Sequence, residues 1–160
     1  MRTQKKRRKQ GKTDYKLRLN LLKSGLPRIV IRKTNRYLIV QLVESVEARD
    51  KIIAGVTSKD LIKQGWDEKY SGSLKSVPAG YLTGLLMAKK IKDKKKIILD
   101  LGMQRTIPGN RIYSVVKGLV DGGVNLNVNE KVFPSEERIA GKHLKQEIQD
   151  LIKSVKEKIK

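Results

Sequence analysis

The placement of charge constrains this chain more than any other feature of its sequence. Residues 1–36 hold 14 basic residues against one acid, Asp14, and residues 89–117 hold nine against two. Residues 37–88 carry six of each sign, and the last 43 residues are nearly balanced, so the net charge of +21 lies in two blocks. A block of one sign cannot enter an interior and opposes its own compaction. Solvated faces mix their signs. A one-sign block reads as an interaction surface, and phosphates suit it better than an anionic membrane or solubility alone.

Several classes of function are excluded or weakened next. No apolar run approaches the roughly 20 residues that a membrane-spanning helix needs, and no apolar segment follows the first charges as in a secretory signal. With no cysteine there is no disulfide, thiolate or cysteine-zinc site, and the one histidine, His143, cannot supply both a triad and a metal site. Gly11-Lys12-Thr13 looks like the end of a phosphate-binding P-loop, but Lys6 stands where that motif needs glycine and no strand precedes it. Asp100 ends an apolar run, where magnesium-binding acids can sit, yet a lone carboxylate is a structural residue far more often than a catalytic one. The expectation is a cytoplasmic, non-enzymatic protein without a cofactor.

Along the chain, residues 1–12 show no apolar periodicity and read as a disordered basic arm. Thr13 suits a helix cap, with Leu17, Leu21 and Leu22 on one face and Gly25 and Pro27 ending the helix. Strands are expected over Arg28–Lys33, Tyr37–Glu44 and Lys51–Val56, joined by the turns Thr34–Arg36 and Glu47–Asp50 as an antiparallel meander. Thr57 and Asp60 have capping-box spacing before a short helix that stops at Gly65, and residues 67–77 read as a loop. Pro78 suits a first helical position before the stripe Leu82, Leu85, Leu86 and Ile91. Gly80 and Gly84 could let that helix approach a sheet closely, or be merely tolerated there.

Lys96–Leu101 reads as a buried strand, and Asn110 as the cap of a helix bearing Ile112, Val115, Val116, Leu119 and Val120. An edge strand over Val124–Val128 and a helix start at Pro134–Glu137 follow. The last amphipathic helix carries Leu144, Ile148, Leu151, Ile152, Val155 and Ile159. The expected organisation is an arm over 1–12, one α/β domain over 13–143 and a C-terminal helix over 144–160. A helical crossover among such strands gives an α/β sandwich on a mixed sheet.

Three groups of residues are candidates for an anion-binding surface. The arm supplies Lys5, Lys6, Arg7, Arg8, Lys9 and Lys12. The basic block continues onto structure through Arg28, Arg32, Lys33, Asn35 and Arg36. Alternation places Arg28 and Arg32 on one sheet face with Val30, an odd place for two charges unless that face meets an anion, and their planar forks suit phosphate oxygens. The loop Gln104–Arg111, with Arg105 and Arg111, leads into a helix N-terminus that favours anions. Tyr15 and Tyr37 could stack on bases or pack in the core. Aromatics are only 4% of residues, which points to structured RNA read by shape rather than single strands threaded over rings.

Longer runs carry a resemblance. Gly11-Lys12-Thr13-Asp14-Tyr15, Leu22-Lys23-Ser24-Gly25-Leu26-Pro27-Arg28 and Arg32-Lys33-Thr34-Asn35 come first, followed by Gly65-Trp66 and Pro78 to Leu86. Leu99-Asp100-Leu101-Gly102, Lys117-Gly118 and Phe133 to Ile139 complete the series. In order, they resemble the 5S-rRNA-binding family of large-subunit ribosomal proteins, the universal eighteenth of that subunit, with the Phe133–Ile139 tract of the archaeal type.

The resemblance implies a three-layer α/β sandwich of ribonuclease-H-like, translational-machinery type without its catalytic carboxylates. It implies attachment of 5S rRNA to the large-subunit rRNA in the central protuberance, beside the neighbouring 5S-binding ribosomal protein and other proteins of that region. RNA contact is thereby implied for Arg7, Arg8, Lys12, Tyr15, Arg18, Arg28, Arg32, Lys33, Thr34 and Asn35. The loop Lys69–Val77, Ala140 and Lys142 depart from the pattern, and residues 145–160 lie outside it.

Overall fold

The structure, a computed structural model, describes residues 3–91 and 96–159. Arg2 of the arm, residues 92–95 of the second basic block and Lys160 lie outside the described residues. Strands β1 (Arg28–Lys33), β2 (Leu38–Val46) and β3 (Arg49–Thr57) form the expected antiparallel meander. β4 (Ile98–Asp100) joins parallel to β1 after helix α3 (Val77–Lys90), giving the order β3-β2-β1-β4.

Several strand limits differ from expectation. The β2–β3 turn needs only Glu47 and Ala48, both at positive φ (51° and 63°), so β3 begins at Arg49. Positive φ at two successive residues suits the twist of a two-residue hairpin, though neither residue type advertises it. β4 is three residues long, and the edge strand expected over 124–128 is reduced to one parallel bridge, Ile97 to Leu126.

One sheet face buries Ile29, Ile31, Leu38, Val40, Leu42 and Val56 against α3 and α4 (Arg111–Asp121). The glycines of α3 serve chiefly a helix contact. A Cβ at Gly84 would run into the Val115 carbonyl, and one at Gly118 into the Tyr81 carbonyl. A Cβ at Gly80 would run into Ser114 of α4 and would also stand 3.2 Å from Leu38 Cδ1 of the sheet. Ser76 caps α3 through the Ala79 N–H, so Pro78 is the second helical residue rather than the first.

Beyond α3 lies a second core cluster. Leu61, Trp66 and Leu74 meet Leu82 of α3 and Ile152, Val155 and Ile159 of the last helix. Leu61 belongs to a 3-10 helix over Ser58–Gln64, opened by the Thr57–Asp60 capping box and closed by Gly65. The segment expected to be a loop after it holds another 3-10 helix, Glu68–Ser73.

The N-terminal segment corrects the largest expectation. Instead of a disordered arm, residues 6–9 form a helical turn, α1 (Lys6–Lys9), and Arg7 Nε donates to Thr13 Oγ1 at 2.9 Å. Lys5 Nζ lies 4.7 Å from the centre of the Tyr15 ring, so local contacts fold the basic segment back on α2 (Tyr15–Lys23). Asp14, not Thr13, caps α2 by accepting from the Lys16 and Leu17 N–H groups.

The expected three-layer sandwich is therefore lopsided. α5 (Glu136–Ala140) and α6 (Gln146–Ile159) stack beyond α3, while α2, which reaches the opposite sheet face through the Arg18–Asp50 pair, buries none of its residues.

Candidate nucleic-acid interface

The thinly covered sheet face carries a chain of ion pairs. Arg28 sits at its centre with a side chain only 2% exposed. Its Nη2 donates to Asp50 Oδ1 at 2.8 Å and Ser45 Oγ at 2.9 Å, and its Nη1 to Asp100 Oδ2 at 3.3 Å. The other oxygen of each aspartate reaches outward. Arg18 Nη2 donates to Asp50 Oδ2 and Arg32 Nη2 to Asp100 Oδ1, each at 2.9 Å.

Arg32 is fixed further. Its Nη1 donates to the Asp100 and Ile31 carbonyls at 2.7 and 2.9 Å. Gly102, at φ 63°, lets the backbone lie against this guanidinium, since a Cβ there would stand 3.0 Å from Arg32 Cζ. The Asp50 carboxyl feels burial, which raises its pKa, but the Ser45 hydrogen bond and the charges of Arg28 and Arg18 outweigh this and hold it below the ordinary value.

This arrangement gives Arg28 partners inside the protein. Asp50 and Asp100 supply these sheet arginines with an anion from within, and the Arg28 guanidinium is buried between them. Arg18 and Arg32 differ: their side chains are 40% and 37% exposed. Both line a cleft of about 310 Å³ with Arg7 and Lys12 of the N-terminal segment and Gln104 of the loop after β4. Gln104 Oε1 is buried there with no hydrogen-bond partner among the described residues. Four separate segments thus converge on one site.

The remaining candidates are placed around the cleft or away from it. Lys5, Lys6, Arg8 and Lys9 are exposed along α1 and its approach, and Tyr15 is half-buried beside them. Lys33, Thr34, Asn35 and Arg36 form the exposed β1–β2 turn, where Thr34 Oγ1 accepts from the Tyr37 N–H at 2.9 Å. Lys75, not anticipated, reaches this turn by donating to the Asn35 carbonyl at 2.9 Å. Tyr37 packs against the second core cluster. Arg105 is exposed on the loop into α4 and Arg111 half-buried as the first residue of that helix, and neither lines the cleft. Asn110 caps that helix through the Ile112 and Tyr113 N–H groups. Asp50, Ser45 and Gly102 carried no local signal of their role, because their partners lie far away in sequence.

These features define a small basic α/β protein that presents fixed cations on one sheet face, with the Asp100 oxygens already committed to arginines and Gly102. Comparison with known proteins makes the class specific. Residues 1–97 match the family described as ribosomal large subunit proteins 60S L5 and 50S L18. The large ribosomal subunit protein uL18 of Methanoregula boonei is 40% identical over 157 residues, covering 95% of this chain and 88% of that protein. Those of Korarchaeum cryptofilum and Methanococcus maripaludis are 44% and 42% identical over 141 and 142 residues. These alignments cover 87% and 88% of this chain and 70% and 72% of the respective relatives. The chain belongs to this family of large-subunit ribosomal proteins. It is a structural component and not an enzyme.

Proposed function

We propose that the protein binds 5S rRNA and helps attach it to the large-subunit rRNA in the central protuberance, beside a neighbouring 5S-binding ribosomal protein. Convergence of the N-terminal segment, α2, β1 and the loop after β4 on one cationic cleft carries this reading. Its RNA-facing set is Lys5, Lys6, Arg7, Arg8, Lys9, Lys12, Tyr15, Arg18, Arg32, Lys33, Thr34, Asn35, Arg36, Arg105 and Arg111. Arg28 leaves that set because its guanidinium is spent inside the protein. Arginine forks held on a strand orient a backbone, while phosphate contacts alone carry no base sequence.

A salt titration tests the reading. Each phosphate neutralised releases condensed counterions, so affinity falls with salt by a slope near 0.7–0.9 per contact. If about four basic residues of the N-terminal segment reach phosphates, deleting residues 2–12 flattens log K against log salt by roughly three units. Equal slopes would remove that segment from the interface. Indifference between 5S rRNA and bulk tRNA would overturn specific 5S binding itself.

A further inference from the structure

Two carboxylates stand among the cations of this face, where charge counting alone treats them as defects. Each divides its oxygens in the same way: Asp50 gives Oδ1 to Arg28 and Oδ2 to Arg18, while Asp100 gives Oδ2 to Arg28 and Oδ1 to Arg32. Buried Arg28 is thus the shared anchor, and the two exposed arginines are the free ends of one chain. We infer that Asp50 and Asp100 are positioning residues for RNA, which, acting with Arg28, set Arg18 and Arg32 at a fixed spacing on the cleft before RNA arrives. This rests on the RNA-binding reading above.

The physical advantage is preorganisation. A free surface arginine loses rotamer freedom when a phosphate immobilises it, whereas these two are ordered when the chain folds. Donors remain for the ligand. Among the described residues Arg18 commits only Nη2, and Arg32 keeps Nε uncommitted. The pairing lowers the local charge, since three arginines share two aspartates. Non-specific attraction therefore weakens while a backbone of matching phosphate spacing still binds, a trade of raw affinity for selectivity.

The test uses the full-length chain, with 5S rRNA and tRNA as probes at one salt concentration. Asp50→Asn adds a unit of positive charge, so electrostatics alone predicts tighter binding to both RNAs. The inference predicts the reverse for 5S rRNA, a loss of about fivefold from the freedom returned to Arg18, with tRNA binding unchanged or tighter. Because the aspartate acts through Arg18, Asp50→Asn should cost nothing further in an Arg18→Ala background. General damage to the fold would add to that loss instead.

Asp50→Glu gives a second readout if the Asn variant fails to fold. It keeps the charge but lengthens the arm, and should also weaken 5S binding. Wild-type or tighter 5S affinity in these variants, with Arg18→Ala weakened, would overturn the positioning role while leaving RNA binding intact. Should Arg18→Ala itself bind 5S rRNA normally, the cleft assignment of Arg18 fails, and the inference fails with it.

Discussion

The two faces of the sheet are held by different physics. On one, Ile29, Ile31, Leu38, Val40 and Leu42 lock into α3 and α4, whose glycines bring the helix backbones into contact. On the other, Arg28 is as buried as those aliphatic side chains, but directional bonds to Asp50, Ser45 and Asp100 hold it under sparse cover. Close packing registers a change of even one methylene in volume. An ionic chain can be left open to solvent at its ends, and that is where a ligand of opposite charge can join it. The packed face makes the domain, and the ionic face makes the site.

The sharpest way to break this contrast is to remove its buried charge. Arg28→Ala leaves Asp100 inside with one fewer cation and strands the Ser45–Asp50 pair, so it should cost about 3 kcal/mol, the lower end for breaking a buried pair because Arg32 still serves Asp100. Urea unfolding measures this. A loss under about 1 kcal/mol would mean that the ionic face contributes function but little stability.

The packed face is probed by adding volume instead. Gly118→Ala drives a methyl into the Tyr81 carbonyl on α3, and should cost about 2 kcal/mol. Gly72→Ala is the control, since an added Cβ there would meet nothing within 4 Å beyond its own stretch of chain, and should stay within about 0.5 kcal/mol of wild type. Equal melting temperatures for the two variants would show that the helices separate without penalty.

The same contrast decides what could be read from sequence. The packed face is periodic, so Ile29, Ile31 and the stripe from Ile112 to Val120 announce their elements. Caps are local too, and the Asn110 and Thr57–Asp60 signals sit beside the helices they open. On the ionic face, alternation correctly put Arg28 and Arg32 together but could not name their partners. Asp50 is 22 residues from Arg28, and Asp100 is 72. Only pairing of β1 with β2 and β4, and of β2 with β3, brings them together. The internal counter-charge was therefore not visible in the sequence. The N-terminal segment failed for a related reason: its charge predicted self-repulsion, while Arg7–Thr13 and Lys5–Tyr15 contacts give it local structure.

The smallest expected effect sharpens the comparison at its exposed edge. Asp50 is about one-third exposed, and its carboxyl is held below the ordinary value by Ser45, Arg28 and Arg18 against the raising effect of burial. A carboxyl whose folded pKa is depressed contributes stability that is fully present above its unfolded value, near 3.9, and lost as pH falls through the folded one. Wild type should therefore exceed Asp50→Asn in stability at neutral pH, by less than about 1 kcal/mol given the exposure. That gap should close as pH falls below about 4. Thermal melts of both proteins from pH 7 to pH 2 follow the gap directly. Parallel curves would mean that the Asp50 charge adds nothing to folding, and that its pairing with Arg18 matters only for what it holds outward.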